Sequence, residues 1–372
     1  MEPQADGFGS CPTPISERPH VLLGHGSGGK LSAELVRRLF LPAFGNATLD
    51  ALEDQATVDF PPGTWSHSES RPNGKVSEHS PIVPRLAFTT DSFVVKPIFF
   101  PGGDIGKLAV HGTINDLAVG GAVPLYLSAA FILEEGLPLE TLARIADSMR
   151  AACQEAGVTL VTGDTKVVDR GKGDQVFITT SGIGIVPPDR QLSIQNARPG
   201  DKLIVSGAVG DHGIAIMSVR EGIEFETVLE SDSASLHDLT RVMLECCPDI
   251  RCMRDPTRGG LSSALNELAE AANVGIRLDE SAIPLRAEVR AACEMLGLDP
   301  LYVANEGKLV AVVPSQHAEK VLDTMRRHHL GQHAAIIGEV VADHPRLVVM
   351  RTVVGGERVV TMLAGEQLPR IC

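Results

Sequence analysis

Arg85-Leu86-Ala87-Phe88-Thr89-Thr90-Asp91-Ser92-Phe93-Val94-Val95, followed after a short break by Asp104-Ile105-Gly106-Lys107-Leu108-Ala109-Val110-His111-Gly112-Thr113-Ile114-Asn115-Asp116-Leu117, is the stretch that decides the fold. Its first part reads as a strand that delivers a carboxylate, Asp91, at its end, with Phe93-Val94-Val95 extending or following it. In its second part Leu108, His111, Ile114 and Leu117 recur at helical spacing, and Gly120-Gly121 closes the helix as a C-cap does. His111 and Asn115 then share a helix face.

The same alternation continues outward. Thr141 to Gly157 reads as a helix, Val158 to Thr162 as a strand, Gly163-Asp164-Thr165 as a turn, and Phe177 to Val186 as a further strand that ends at Pro187-Pro188. Upstream, Gly24-His25-Gly26-Ser27-Gly28-Gly29-Lys30 opens a helix carrying Leu31, Leu35, Val36 and Leu39. A second half restarts at Lys202-Leu203-Ile204-Val205-Ser206-Gly207, turns at Gly210-Asp211-His212-Gly213, and adds strands near Gly275–Leu278, Lys308–Val313 and Ile336–Val340. Pro256 fits the first turn of a helix through Leu261, Leu265, Leu268 and Ala272, with Asp255 at its positive end. The expectation is an α/β chain with domains at 20–187 and 188–355. A Pro- and Gly-rich extension (1–19) precedes them and a flexible tail (356–372) follows; residues 61–84 read as a surface segment.

A chain of 372 residues exceeds what one core usually serves, which agrees with two domains. Apolar residues at 43% and charged residues at 22% exclude wholesale disorder. A formal charge of −14 argues against neutralising nucleic-acid phosphates but leaves room for a nucleotide held through a metal. No run approaches membrane-span length and the N-terminus has no basic-then-apolar leader, so a cytoplasmic location is expected. Seven cysteines, an odd number without matched spacings, read as reduced thiols; Cys246, Cys247 and Cys252 lack the second cluster that zinc needs.

The groups suited to chemistry are few. The loop Gly24 to Lys30 has the glycines that let backbone amides approach phosphate, though it is not the P-loop pattern. Acids recur at turns and element ends: Asp54, Asp91, Asp116, Asp164 and Asp255. As a set they suit Mg²⁺, which takes oxygen ligands and bridges phosphates, although each alone also serves as a cap or turn residue. Lys166 lies two residues beyond Asp164, on the same face of an extended strand. Asn305-Glu306-Gly307-Lys308 sets a carboxylate before an apolar strand, a general base or a solvated turn. Cys372 is the last residue, where a prenylation signal is excluded because nothing follows it. A terminal thiol on a mobile arm is suited to carrying an acyl group into a pocket.

Gly24-His25-Gly26-Ser27-Gly28-Gly29, Phe99-Phe100-Pro101-Gly102-Gly103-Asp104, Asn115-Asp116-Leu117-Ala118, Val161-Thr162-Gly163-Asp164-Thr165-Lys166, Asp255-Pro256-Thr257-Arg258 and the terminal Pro369-Arg370-Ile371-Cys372 together resemble the hydrogenase maturation factor HypE family. The resemblance spans roughly residues 20 to 372, and the terminal motif separates this family from relatives that make aminoimidazole ribonucleotide, selenophosphate or thiamin diphosphate. It implies a homodimer whose N-terminal sheets pair into a central β-barrel, with ATP near the dimer interface. It also implies a HypF-type carbamoyltransferase that loads Cys372 and a HypC–HypD iron scaffold that accepts cyanide.

The implied reaction is ATP-dependent dehydration of a carboxamide on Cys372 to a thiocyanate for the NiFe-hydrogenase iron. On the matching positions, Asp54, Asp91, Asp116, Asp164 and Asp255 become metal and phosphate ligands, and Gly26, Gly28, Gly29, Asn115 and Thr165 line the nucleotide site. Glu306 becomes the proton acceptor, Lys166 relays or stabilises charge beside it, and His25 contacts the reacting group or the phosphates. The extension and the 61–84 segment depart from the family pattern and receive no role. Two other readings stand beside this one: a small-molecule kinase of the same superfamily, and a non-catalytic scaffold docking partners through its tail.

Overall fold

The computed structural model describes residues 20–59, 85–222, 229–363, 365, 368 and 370–372. The extension and the 61–84 segment named above lie outside these residues.

Along the chain, α1 (Lys30–Leu35) runs through a π turn (Val36–Phe40) into α2 (Leu41–Phe44), followed by β1 (Ala56–Val58), β2 (Arg85–Phe93), β3 (Phe99–Phe100), β4 (Gly103–Asp104) and α3 (Ile105–Val119). Then come β5 (Val123–Glu134), α4 (Leu139–Glu155), β6 (Thr159–Val168) and β7 (Val176–Val186). The second half holds β8 (Lys202–Val205), α5 (Asp211–Glu221), α6 (His237–Cys246), β9 (Cys252–Arg254), α7 (Gly260–Ala272), β10 (Gly275–Asp279) and α8 (Ala287–Leu296). It ends with β11 (Val310–Val313), α9 (Ala318–Arg327), β12 (Ala335–Val341), β13 (Val348–Arg351) and β14 (Glu357–Val360).

The first sheet has the order β1-β2-β7-β5-β6, antiparallel except for the parallel pair β5 and β6. β7 alternates buried and half-buried residues along its whole length, as a strand with one covered face does. The cover is α3, and 13 of its 15 residues are buried, so its stripe-free apolar sequence is explained by burial all round. Lys107 and Asp116 alone reach out of that burial. Asp104 caps the helix, its Oδ1 accepting from Gly106 N at 2.7 Å and Lys107 N at 3.2 Å.

The second sheet has the order β14-β13-β10-β12-β8-β11-β9. Its central strands are apolar on both faces because both are covered. Leu203, Val205, Val310 and Val312 pack toward α7, while Ile204, Ala311 and Val313 pack toward α6 and α9. Among the described residues the chain is therefore mixed α/β with two sheet-and-helix units, and neither of the two large sheets closes into a barrel.

Four expectations are corrected. Gly163-Asp164-Thr165 is not a turn: β6 runs straight through it, paired to β5 with Gly163 opposite Ala129. A Cβ at 163 would lie 2.5 Å from the Ala129 carbonyl, so glycine marks a close strand approach there rather than a bend. Gly210-Asp211-His212-Gly213 starts α5 instead of forming a free turn. Pro256 lies outside α7, because Gly259 and Gly260 take left-handed backbone (φ +78° and +60°) and delay the helix, so Asp255 does not sit at its first turn. Finally, chain assigned to the tail forms β14 against β13.

Candidate active site

The glycine loop is built on its own hydrogen bonds. Ser32 Oγ accepts from Gly28 N at 3.0 Å and donates to the His25 carbonyl at 2.9 Å, and His25 Nδ1 accepts from Leu22 N at 2.8 Å. Gly28 takes φ +71°, and a Cβ there would meet the Arg258 backbone and Cβ at 2.8 Å. Arg258 answers with Nη1 on the Gly26 carbonyl at 3.1 Å and Nη2 on Asp91 Oδ1 at 3.3 Å. One guanidinium thus ties the loop to the end of β2.

Four of the five expected acids come together here. β2 supplies Asp91, α3 supplies Asp116, the segment before β1 supplies Asp54, and the residue after β9 is Asp255. The Thr89 hydroxyl lies 2.7 Å from Asp116 Oδ2 and 3.1 Å from the Asp54 carbonyl oxygen. Arg254 pairs with Asp54 at 3.1 Å and with Glu267 at 2.5 Å. Desolvation raises the pKa of all four carboxyls, and repulsion from neighbouring acids adds to it at Asp54, Asp116 and Asp255; Asp116 feels Asp255, Asp91 and Asp54 in turn, and Asp255 is pushed up to about 6. Arg254 and Arg258 oppose this at Asp54, Asp255 and Asp91.

The chain terminus reaches the same place. Cys372 is buried at 7% exposure, and Glu306, itself 3% exposed, lies near enough to its thiol to make a thiolate there more costly. Gly26, Ser27, Ser92, Arg258, Ile371 and Cys372 line one cavity of ≈ 260 Å³. Burial lifts both the Cys372 thiol and the Glu306 carboxyl well above their usual ranges; Asp91, Asp232 and Asp255 lift Glu306 further, and Arg258 opposes both shifts. Glu306 Oε1 is buried and makes no hydrogen bond among the described residues. Its loop is fixed from behind: Asn305 Oδ1 accepts from Gly210 N at 2.7 Å, Asn305 Nδ2 donates to the Pro256 carbonyl at 2.9 Å, and Glu306 N donates to Asp232 Oδ1 at 3.0 Å. A desolvated carboxyl with one oxygen unpaired, beside a thiol, is a group equipped to take a proton from a substrate brought to that thiol.

Asp164, Thr165 and Lys166 are not part of this gathering within one chain. They lie on the exposed edge strand β6, where Lys166 pairs with Asp164 at 2.8 Å. Asn115 is buried near the site, but its amide is engaged: Oδ1 accepts from Leu236 N at 2.7 Å, and Nδ2 donates to the Ala234 and Glu306 carbonyls at 3.0 and 3.2 Å. Sequence reasoning gave no role to Arg254, Arg258, His212 or Asp232. Arg258 stood inside a quoted motif, and its position beside Asp255 was the one available signal.

Mg²⁺ is tested against these residues by their chemistry. No three His, Cys, Asp or Glu side chains form a ready metal cage among the described residues. Mg²⁺ bound with a nucleotide asks for less, one or two carboxylates plus phosphate oxygens. The hard oxygen donors of Asp54, Asp91, Asp116 and Asp255, whose negative charge is costly without a cation, fit it.

Comparison with known proteins places this geometry. Residues 81–186 match the N-terminal domain of AIR synthase related proteins and residues 198–350 match their C-terminal domain. The chain is 57% identical over 352 residues to the carbamoyl dehydratase HypE of Azotobacter vinelandii, covering 95% of this chain and 97% of that one. A crystal structure of HypE in complex with ATP is 47% identical, with TM-score 0.75 over 95% of this chain and all (100%) of the other. HypE from a HypE–HypF complex is 45% identical, with TM-score 0.79 over 88% and 99%.

Proposed function

We propose a reaction from the premise that the chain belongs to the carbamoyl dehydratase HypE family of AIR synthase related proteins. The chain uses ATP to remove water from a carboxamide carried on Cys372, leaving a thiocyanate whose cyanide serves the iron of NiFe hydrogenase. The observation that carries this reading is the buried terminal thiol, which lies beside Glu306 and lines a cavity together with the glycine loop.

An amide oxygen is a poor leaving group, and phosphorylation corrects that. The oxygen of Cys372-S-C(=O)NH₂ attacks the γ-phosphorus of ATP, ADP departs, and one nitrogen proton passes to solvent to give an iminol phosphate. Glu306 takes the second nitrogen proton; the C–O bond breaks, phosphate leaves, and the C≡N bond forms. The glycine loop's backbone is placed to approach the phosphates, and Arg258 lies between that loop and Asp91, where it balances charge beside the thiol. Asp54, Asp91, Asp116 and Asp255 are the residues that would hold Mg²⁺, which would supply charge neutralisation on the phosphoryl group.

Asp164, Thr165 and Lys166 enter the reading through a homodimer. β6 is an edge strand with Leu160, Val161 and Val167 exposed at 40%, 58% and 66%, an unpartnered apolar face that a second copy would cover. Pairing there would join two sheets toward a barrel and carry the Asp164–Lys166 pair to the other chain's site. A HypF-type carbamoyltransferase as loader and a HypC–HypD acceptor complete the proposal; among solved relatives, HypE has been crystallised with HypF.

The test is mass spectrometry of the C-terminal peptide after loading with carbamoyltransferase and carbamoyl phosphate, before and after Mg-ATP. A carbamoyl mass on Cys372 that then loses one water supports the dehydratase. A tail that stays unmodified while a control protein is loaded sinks it in favour of small-molecule phosphorylation.

A further inference from the structure

Cys372 is shielded, yet its side chain is not what secures the terminus. The backbone before it is held by groups from both halves of the chain. The Arg370 carbonyl accepts from Lys96 N at 3.1 Å and from the Arg220 guanidinium, and Arg370 Nη1 pairs with Asp174 at 2.6 Å. These contacts sit at the exposed mouth. Deeper in, the Ile371 carbonyl accepts from His212 Nε2 at 2.8 Å, and His212 is fully buried, edge-on to Phe100 at 5.6 Å. For Nε2 to donate, Nδ1 of a neutral imidazole must accept, and the Ser231 hydroxyl lies 2.7 Å from it. Ser231 Oγ also accepts from Ser233 N at 3.1 Å, which leaves its one proton for His212.

The residue after Ser231 holds the other reaction partner. Asp232 Oδ1 accepts the Glu306 N–H at 3.0 Å, and Asp232 Oδ2 pairs with Lys308 at 3.2 Å, both side chains well buried. Ser231 N is in turn fixed on the Pro101 carbonyl at 2.8 Å.

We infer that Ser231 and His212 are positioning residues for the terminal thiol, holding the Ile371 carbonyl so that Cys372 faces Glu306, while Asp232 anchors the Glu306 backbone from the same short segment. The inference rests on the reaction proposed above. It adds that the thiol-to-carboxyl geometry is set by two adjacent residues, Ser231 through His212 and Asp232 through the Glu306 backbone.

Cyanate tests it without the partner protein, since it carbamoylates accessible thiols directly. Its rate of reaction at Cys372 in the full-length chain is followed on the C-terminal peptide, with buried Cys252 and Cys293 as internal references. Mg-ATP is then added and water loss timed. Ser231→Ala is expected to load roughly tenfold faster and dehydrate roughly tenfold slower at saturating ATP, the size of one lost buried hydrogen bond. Half-saturation by ATP and the shielding of Cys252 and Cys293 should stay as in the wild type, and Ser231→Thr, which keeps the hydroxyl, should restore both rates. Opposite movement of two rates is not what general loosening produces. A Ser231→Ala protein matching the wild type in both rates overturns the inference, as does a Ser231→Thr protein no better than Ser231→Ala. Should wild-type protein load but never lose water, the proposed reaction fails, and the loading rates alone still decide whether Ser231 holds the terminus.

Discussion

Glu306 and Cys372 are both buried; Glu306 makes a thiolate at Cys372 more costly, and Asp91, Asp232 and Asp255 do the same to the Glu306 carboxylate. A proton acceptor in that setting is stronger than a solvated glutamate, which is what abstraction from nitrogen demands. Glu306→Gln keeps the shape and removes the basicity; we expect dehydration to fall by roughly a hundredfold or more, with ATP affinity within about twofold, read by single-turnover mass spectrometry and equilibrium binding. Asp211 makes a second residue-scale prediction away from the acids around Asp116. Burial and the nearby Asp232 push its pKa up to about 6, against the attraction of Arg286 at 3.0 Å. An acid whose folded pKa is raised binds its proton more tightly in the folded chain, so stability falls as pH rises from about 4 to about 6 and stays lower above that. At about 1.4 kcal/mol per unit, the loss is of order 3 kcal/mol. Asp211→Asn should remove that part of the pH slope in urea unfolding.

At the scale of elements, the start of α7 controls the site from a distance. Gly260 holds φ +60°, and a Cβ there would lie 2.6 Å from the Leu301 carbonyl and 2.7 Å from the Val303 carbonyl. Those carbonyls belong to the segment that leads into Asn305 and Glu306. Gly260→Ala should therefore cost about 1–3 kcal/mol of stability in urea unfolding, and slow dehydration as the Glu306 loop shifts. The exposed edge β6 gives the complementary test: Val161→Glu should leave the fold intact by circular dichroism while preventing self-association in sedimentation analysis. Periodicity made α3, α4, β2 and β7 legible, since their patterns answer to neighbours covering one face or all of it. It misread β6 and the α5 start because glycine signals a turn and a tight approach alike, and only pairing with β5 or a helix following Gly210 tells which. Glu306 and Cys372 were legible as chemical groups out of packing context. Arg258 and His212 were not, because what gives them meaning lies 167 residues away at Asp91 and 159 away at Ile371.

Across the whole molecule, the two sheet-and-helix units are stitched by the site itself. Asn115 of the first unit satisfies three backbone groups of the second, and Arg258 of the second grips Gly26 and Asp91 of the first. The terminus closes the seam, running from β14 on the far edge of the second sheet back to a pocket that both units wall. In the proposed reaction the thiol is joined to the chain that acts on it, so its local concentration is a property of the fold and not of the flask. Dehydration of preloaded protein at fixed Mg-ATP should then be first order, with the same half-time on dilution for as long as the two copies that share Asp164 and Lys166 stay paired. A half-time that lengthens on dilution would mean that a second molecule has to arrive before the water can leave, and the concentration at which it lengthens would measure how firmly the two copies hold each other.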